Sequence, residues 1–246
     1  MREFILGLFL ILLCRSGSAP LPQNFWIVWN VGQGQWITQV TNNECRHFDF
    51  GGEINYFKNI HKQFVSLCGQ KNNLLYLSHS DLDHYAYLSL IANRAKSVCW
   101  MVRPENFNLS YMARLPPCTS VNKIPRGLKE NQTIIVDCNY KDKNSCSTVF
   151  KRKSFLIPGD SPKSQEKFWL PLLENKSQIS VLILGHHGSR TSTKTALLYQ
   201  LPNLKMAVAS ARRKKYGHPH LQTVETLKQR NIPLLKTESW GNLHFL

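Results

Sequence analysis

The stretch Leu74–His84, Leu-Leu-Tyr-Leu-Ser-His-Ser-Asp-Leu-Asp-His, decides how the rest of the chain is read. Asn73–Leu77 has the composition of a strand, runs directly into His79-x-Asp81-x-Asp83-His84, and is followed at Tyr85–Lys96 by residues of helical composition. Imidazole and carboxylate side chains alternating after an apolar strand let one loop turn several ligands toward a single cation. Two carboxylates about 4 Å apart repel by roughly 4 kcal/mol at an effective dielectric of about 20, so such a cluster requires a bound cation or a proton. A pair of divalent ions about 3.5–4 Å apart removes the repulsion. Such a pair can also ionise a bridging water and hold both oxygens of a phosphoryl transfer.

Outward from this loop the same arrangement, a short apolar run and then a polar turn, recurs at Pro158-Gly159-Asp160, at Gly185-His186-His187-Gly188-Ser189 and at Tyr216-Gly217-His218-Pro219. Phe25–Val31, Trp36–Val40 and Arg46–Phe50 read as three strands of a meander, and Ser97–Val102 as a further strand. Thr133–Asn139, Ser147–Lys151 and Ser154–Ile157 form a later strand group. Ile179–Leu184, Met206–Ser210, Pro233–Thr237 and Asn242–Leu246 complete the strands, with helices at Thr193–Leu201 and Leu221–Asn231. Two halves of similar order predict an α/β sandwich, two sheets covered by helices, with the polar turns converging on one edge.

The ordered set Asn30-Val-Gly-Gln-Gly34, Asp49-Phe-Gly-Gly52, Ser78–His84, Asn144-x-x-Ser147, Pro158–Asp160, Gly185–Ser189, Tyr216–Pro219 and Thr237-x-x-x-Gly241 resembles the metallo-β-lactamase-like domain of the ComEC competence proteins. The resemblance covers residues 25–246 and implies a single αββα metallohydrolase domain, residues 20–246, of the kind thought to degrade the DNA strand that is not imported. It implies one or two divalent ions, Mn²⁺, Mg²⁺ or Zn²⁺. His79 and Asp81 would hold one ion, Asp83, His84 and His218 the other, and Asp160 would bridge them. Asp81 replaces the second histidine of the usual HxHxDH pattern and makes that side oxygen-rich, which favours Mn²⁺ or Mg²⁺. Asn144 and Ser147 stand in the interval where other hydrolases of the fold carry a metal histidine. His186 and His187 resemble a pair that protonates a leaving oxygen or binds the scissile phosphate, and Asp49 is expected to orient the His79 loop. No role is assigned to Gln35, His47, His61, His220 or His244.

The charge fits a polyanionic partner, DNA in this reading: Lys and Arg outnumber Asp and Glu by 31 to 15, a formal net charge of +16. Arg190 and Lys194 follow the double-histidine turn, Arg212-Arg213-Lys214-Lys215 precede His218, and Lys151-Arg152-Lys153 form a third cluster. Such runs bind phosphate or simply solvate a surface. Trp36, Tyr85, Tyr87, Trp100 and Tyr216 are base-stacking candidates whose plainer reading is core packing. At the N-terminus, the apolar run Phe4–Leu13 with Arg2 before it and small residues after it reads as a signal peptide over residues 1–19, a signal anchor being the alternative. Its removal takes away Cys14 and leaves Cys45, Cys68, Cys99, Cys118, Cys138 and Cys146 for three disulfides of unassigned pairing, consistent with a secreted or periplasmic protein. A structural zinc site is the rival use of these cysteines. Asn108, Asn131 and Asn175 begin glycosylation sequons, which have meaning only in a eukaryotic secretory route. Alternatives to a nuclease are a phosphodiesterase for a smaller or cell-envelope ester, and a binding module with a degraded metal site.

Overall fold

A computed structural model describes residues 24–104, 107, 115–118, 131–138 and 142–246. The signal-peptide segment and the Asn108 sequon lie outside them. Twelve strands among the described residues form two six-stranded sheets. The first has the order β12 (Leu243–Phe245), β1 (Phe25–Val28), β2 (Trp36–Val40), β3 (Glu44–Phe50), β4 (Asn72–Tyr76), β5 (Ser97–Val102). The second has the order β11 (Leu234–Lys236), β10 (Met206–Ala209), β9 (Val181–Ile183), β8 (Phe155–Ile157), β7 (Val149–Arg152), β6 (Asn131–Ile134). In both sheets a run of antiparallel pairs passes into parallel ones, at β3–β4 in the first and β8–β9 in the second.

Strand periodicity explains how each sheet serves two cores at once. Successive side chains of a strand point to opposite faces, and β1 is buried on both. Trp26 and Val28 join Ile37, Phe48, Leu74 and Tyr76 against Phe150, Phe155, Ile157 and Val181 of the other sheet. Phe25 and Ile27 face the opposite way, into a core with helix Ile54–Cys68. Behind the second sheet, helices Lys163–Trp169, Thr195–Tyr199 and Leu221–Gln229 close a third core through Trp169, Leu197, Leu198 and Leu227. The layers are therefore αββα, as expected.

Two features depart from the sequence reading. Helix Ile54–Cys68 was assigned to no element, although Phe57, Ile60, Phe64 and Cys68 recur on its buried face at helical spacing. The Lys151–Lys153 cluster is not a surface patch. Lys151 and Arg152 lie in β7 and are buried, and the Arg152 guanidinium sits over the rings of Phe48, Tyr76 and Phe150 between the sheets. Its donors reach Gln132 O, Lys151 O and Thr133 Oγ1.

All six cysteines after Cys14 pair with near neighbours in sequence: Cys45–Cys68, Cys99–Cys118 and Cys138–Cys146. That leaves none of them to ligate zinc. Cys45–Cys68 ties the last residue of the long helix to β3.

A polar network under the same helix fixes one histidine as neutral. Asn73 Nδ2 donates to three backbone carbonyls, so Asn73 Oδ1 must accept the Nε2 proton of His47, at 2.9 Å. His47 Nδ1 in turn accepts from Trp36 Nε1. Burial pushes the His47 pKa down to about 4, against the opposing pull of Asn73. Between pH 6.5 and about 4 the unfolded chain takes up a proton that the folded chain refuses, so stability should fall across that window as pH drops, by up to about 3 kcal/mol. Denaturant unfolding across this pH range should show that slope in the wild type and a flatter one in His47→Gln; an unchanged slope in the variant would contradict the assignment.

Candidate metal centre

The site is assembled at the carboxyl ends of β3, β4, β8, β9 and β10, where parallel strands of both sheets deliver their loops. Its foundation is Asp49, the penultimate residue of β3, fully buried with φ of 50°. Asp49 Oδ1 accepts from the Ser78 backbone N–H at 2.7 Å. Asp49 Oδ2 accepts from Ser78 Oγ, from Gln35 Nε2 and from His84 Nδ1, at 2.9, 2.7 and 2.8 Å.

These bonds fix the Nδ1 proton of both histidines. An ionised carboxylate only accepts, so His84 Nδ1 carries a proton, and its Nε2 faces Asp160 Oδ1 at 3.1 Å, where it keeps a second proton unless an ion displaces it. Ser78 spends its hydroxyl proton on Asp49, so its oxygen accepts from His79 Nδ1, at 3.0 Å, which leaves His79 Nε2 facing the centre. The two imidazoles lie with ring centroids 4.2 Å apart.

Asp160 enters from the other sheet. Its backbone N–H donates to Ser147 Oγ, and Gly159 before it has φ of +56°, where a Cβ would lie 2.7 Å from the Ser78 side chain. The two loops can therefore approach only at glycine. Asp160 Oδ1 lies 3.1 Å from His84 Nε2 without hydrogen-bond alignment, and Oδ2 lies 3.7 Å from the Nε2 atoms of both His186 and His187. The double-histidine turn is itself strained. His186 and His187 adopt φ of 48° and 55°, a conformation that costs non-glycine residues about 1–3 kcal/mol each and persists where the surroundings impose it. The imposed turn lets His187 Nδ1 donate to Ser210 O at 3.0 Å and points Nε2 at Asp83 Oδ2, 3.1 Å away.

Two groups of ligand atoms result, each within 4.8 Å: His79, His84 and Asp160, and Asp83, His84 and His187. This grouping differs from the partition that the resemblance implies. His187, expected to face the metals as an acid, supplies a donor in the place expected of His218. The half-buried His218 lies beyond His186, with ring centroids 5.9 Å apart, and joins neither group. Asp81 also stands aside: its carboxylate pairs with Lys143 Nζ at 3.2 Å and lies 3.6 Å from His79 Nε2. The grouped donors are three imidazoles and two carboxylates, a set compatible with Zn²⁺, Mn²⁺ or Mg²⁺.

The charges around the centre support one another. Burial opposes ionisation of Asp160, but the charges of His84 and His187 outweigh it and hold the carboxyl well below its ordinary range. Burial likewise opposes protonation of His84, and Asp160 and Asp49 reverse it, raising the ring well above the usual imidazole value. His186, with no such carboxylate contact beyond Asp160, is lowered by burial.

Sequence reasoning missed Gln35 and Ser78 as partners of Asp49, and Lys143 as the partner of Asp81. Ser147 supports Asp160 from the interval motif, whereas half-buried Asn144 contributes its backbone carbonyl to Ser147 N–H. Of the basic residues near the site, Arg212 and Lys215 both pair with Glu53, at 2.8 and 3.0 Å, and Tyr216 adds a third donor to the same carboxylate. Arg190, Arg213 and Lys214 are exposed, and Lys194 is half-buried with its backbone N–H on Glu166. Trp36, Tyr87 and Trp100 are core residues, and Tyr216 is exposed.

No protein-family model matches the chain. Its curated relatives include ComE operon protein 3 of Bacillus subtilis, 25% identical over 200 residues, which are 74% of this chain and 26% of that protein. Competence protein ComA of Neisseria gonorrhoeae is 24% identical over 233 residues, 94% of this chain and 33% of that one. Recombination protein 2 of Haemophilus influenzae is 27% identical over 235 residues, 91% of this chain and 28% of that one. The chain thus spans between 26% and 33% of the length of these relatives. Among solved structures, a diphosphatase of the PhnP family superposes with a TM-score of 0.56 at 10% identity, covering 90% of this chain and 97% of that one. The metallo-β-lactamase fold protein YhfI of Bacillus subtilis superposes with a TM-score of 0.55 at 8% identity, covering 90% and 99%. The chain therefore has the metallo-β-lactamase fold, and it is a homologue of the ComEC-family competence proteins, as the order of its motifs implied.

Proposed function

We propose that the protein is an exported, metal-dependent phosphodiesterase that cleaves DNA. One observation carries the reading. His79 Nε2, His84 Nε2 and Asp160 Oδ1 are buried and make no hydrogen bond, and the three residues each place a ligand atom within 4.8 Å of the others'. His84 Nε2 and Asp160 Oδ1 meet only as an ion-pair contact at 3.1 Å, and buried polar atoms without hydrogen bonds are costly unless something binds there. Two imidazole nitrogens and a carboxylate oxygen are the donors of a divalent cation site.

His79, His84 and Asp160 would hold the ion, with Asp83 and His187 beside them on the shared His84 ring. A divalent ion held there supplies Lewis acidity toward a phosphoryl oxygen and acidifies a water. The chain does the positioning. Asp49 and Ser78 keep the Nε2 atoms of His84 and His79 aimed inward, and Ser210 O orients the His187 ring, whose Nε2 donates to Asp83 until an ion displaces that proton. His186 retains some solvent exposure and stands 3.7 Å from Asp160, so it is the imidazole placed to meet the leaving oxygen. Exposed Arg190, Arg213 and Lys214 supply attraction for a polyanion, and Arg212 and Lys215 serve chiefly to anchor the Tyr216 turn to Glu53. Export is favoured by the three disulfides, which persist in oxidising compartments. No helix among the described residues is long and apolar enough to cross a membrane.

The test is digestion of end-labelled single- and double-stranded DNA across a Mn²⁺, Mg²⁺ and Zn²⁺ series. Cleavage by the wild type and loss of at least about a thousandfold in Asp160→Ala is the expected outcome. Inactivity of the wild type with all three ions would contradict the proposal. A second prediction concerns support rather than chemistry. Asp49→Asn places an amide donor among four donors and releases both tautomers, so metal affinity, read by competition with a chromophoric chelator, should fall about 10–100-fold. Unaltered affinity in a folded variant would show that Asp49 does not orient the ligands.

A further inference from the structure

Beside the metal centre lies a cleft of about 340 Å³ that the arrangement of ligands does not use. His79 belongs to both, so the cleft lies directly beside the centre, with Val102 and Arg103 at the end of β5 in its lining. Val102, Pro104 and Ile135 form its apolar walls, and the Cys138–Cys146 disulfide lies along it. Ile135 is 71% exposed, an apolar side chain left in water at the edge of a polar centre. Two cations, Arg103 and Lys143, line the same cleft, and Lys143 reaches across to Asp81.

We infer, resting on the phosphodiesterase reading, that this cleft binds one unpaired nucleobase next to the scissile phosphate, while Lys143 and Arg103 meet the phosphate oxygens. The volume is at the lower end of small-ligand sites and suits a monomer unit. A nucleobase has two apolar faces and a polar edge. The cleft offers apolar walls for the faces, and Ser80, Asp137 and Thr148 for the edge. A base within a duplex is stacked and cannot enter such a cleft without being unpaired, so the site favours single strands or frayed ends. The Lys143–Asp81 pair is solvent-exposed and therefore weak, so the ammonium can exchange Asp81 for a phosphate oxygen at little cost.

The experiment compares two probes, thymidine 5′-monophosphate and 2-deoxyribose 5-phosphate, by calorimetric titration of metal-free and Mn²⁺-supplemented protein. The wild type should bind the nucleotide at least tenfold more tightly than the sugar phosphate. Ile135→Asp, at an exposed position whose folding is checked by circular dichroism, should remove that preference, and Lys143→Ala should weaken both probes about tenfold. Equal affinity of the wild type for the two probes, or a preference that survives Ile135→Asp, would overturn the inference. The two readings fail separately. Base preference without any DNA cleavage contradicts the phosphodiesterase and leaves the cleft assignment standing; cleavage without base preference does the reverse.

Discussion

Asp49 is buried at the end of β3 and accepts four hydrogen bonds, and the geometry of the whole centre passes through them. Two come from Ser78, one from Gln35 and one from His84, so a single carboxylate joins the meander of the first sheet to the loop after β4. The strengths are unequal in consequence. Charge-assisted bonds of this kind are worth roughly twice neutral ones, and those from Ser78 Oγ and His84 Nδ1 also decide where a proton sits. The serine hydroxyl relays the carboxylate's demand to His79, and His84 answers it directly. Both rings then turn their Nε2 atoms toward the same small volume. The second sheet needs only to deliver Asp160, which the glycine at 159 allows, and His187, which Ser210 O fixes.

Much of this was legible in the sequence because the informative residues are close together along the chain. Strands β2 and β5 were predicted with their observed bounds, and most others to within a few residues, since these strands read as short apolar runs between polar turns. The loops that follow the strands were legible for the same reason. Helix Ile54–Cys68 was not. Glu53 precedes it without a side-chain cap, and its polar positions carry Asn, Lys, His and Gln with no strong start signal. Likewise the burial of Arg152 could not be read from its charge, because the apolar rings that receive it come from three strands.

The ligand set shows where local reasoning stops. The residue types were apparent from the motifs, but the choice between His187 and His218 depends on how two loops of the second sheet fold against Asp83 and Asp160. That is a matter of distance between loops 104 residues apart in the case of His187 and Asp83. Charge was equally ambiguous. The net excess of basic residues pointed to a polyanion, yet Arg212 and Lys215 are committed to Glu53, and the cations that line the cleft beside the centre are Arg103 and Lys143.

His79 Nε2, His84 Nε2 and Asp160, buried together without hydrogen bonds at their facing atoms, would form a cation site. Anomalous diffraction from crystals soaked in Mn²⁺, and separately in Zn²⁺, tests it directly. A peak is expected about 2.0–2.3 Å from His79 Nε2, His84 Nε2 and an oxygen of Asp160. Full soaking with no peak among these three residues, or an ion bound elsewhere while they stay unligated, would contradict it.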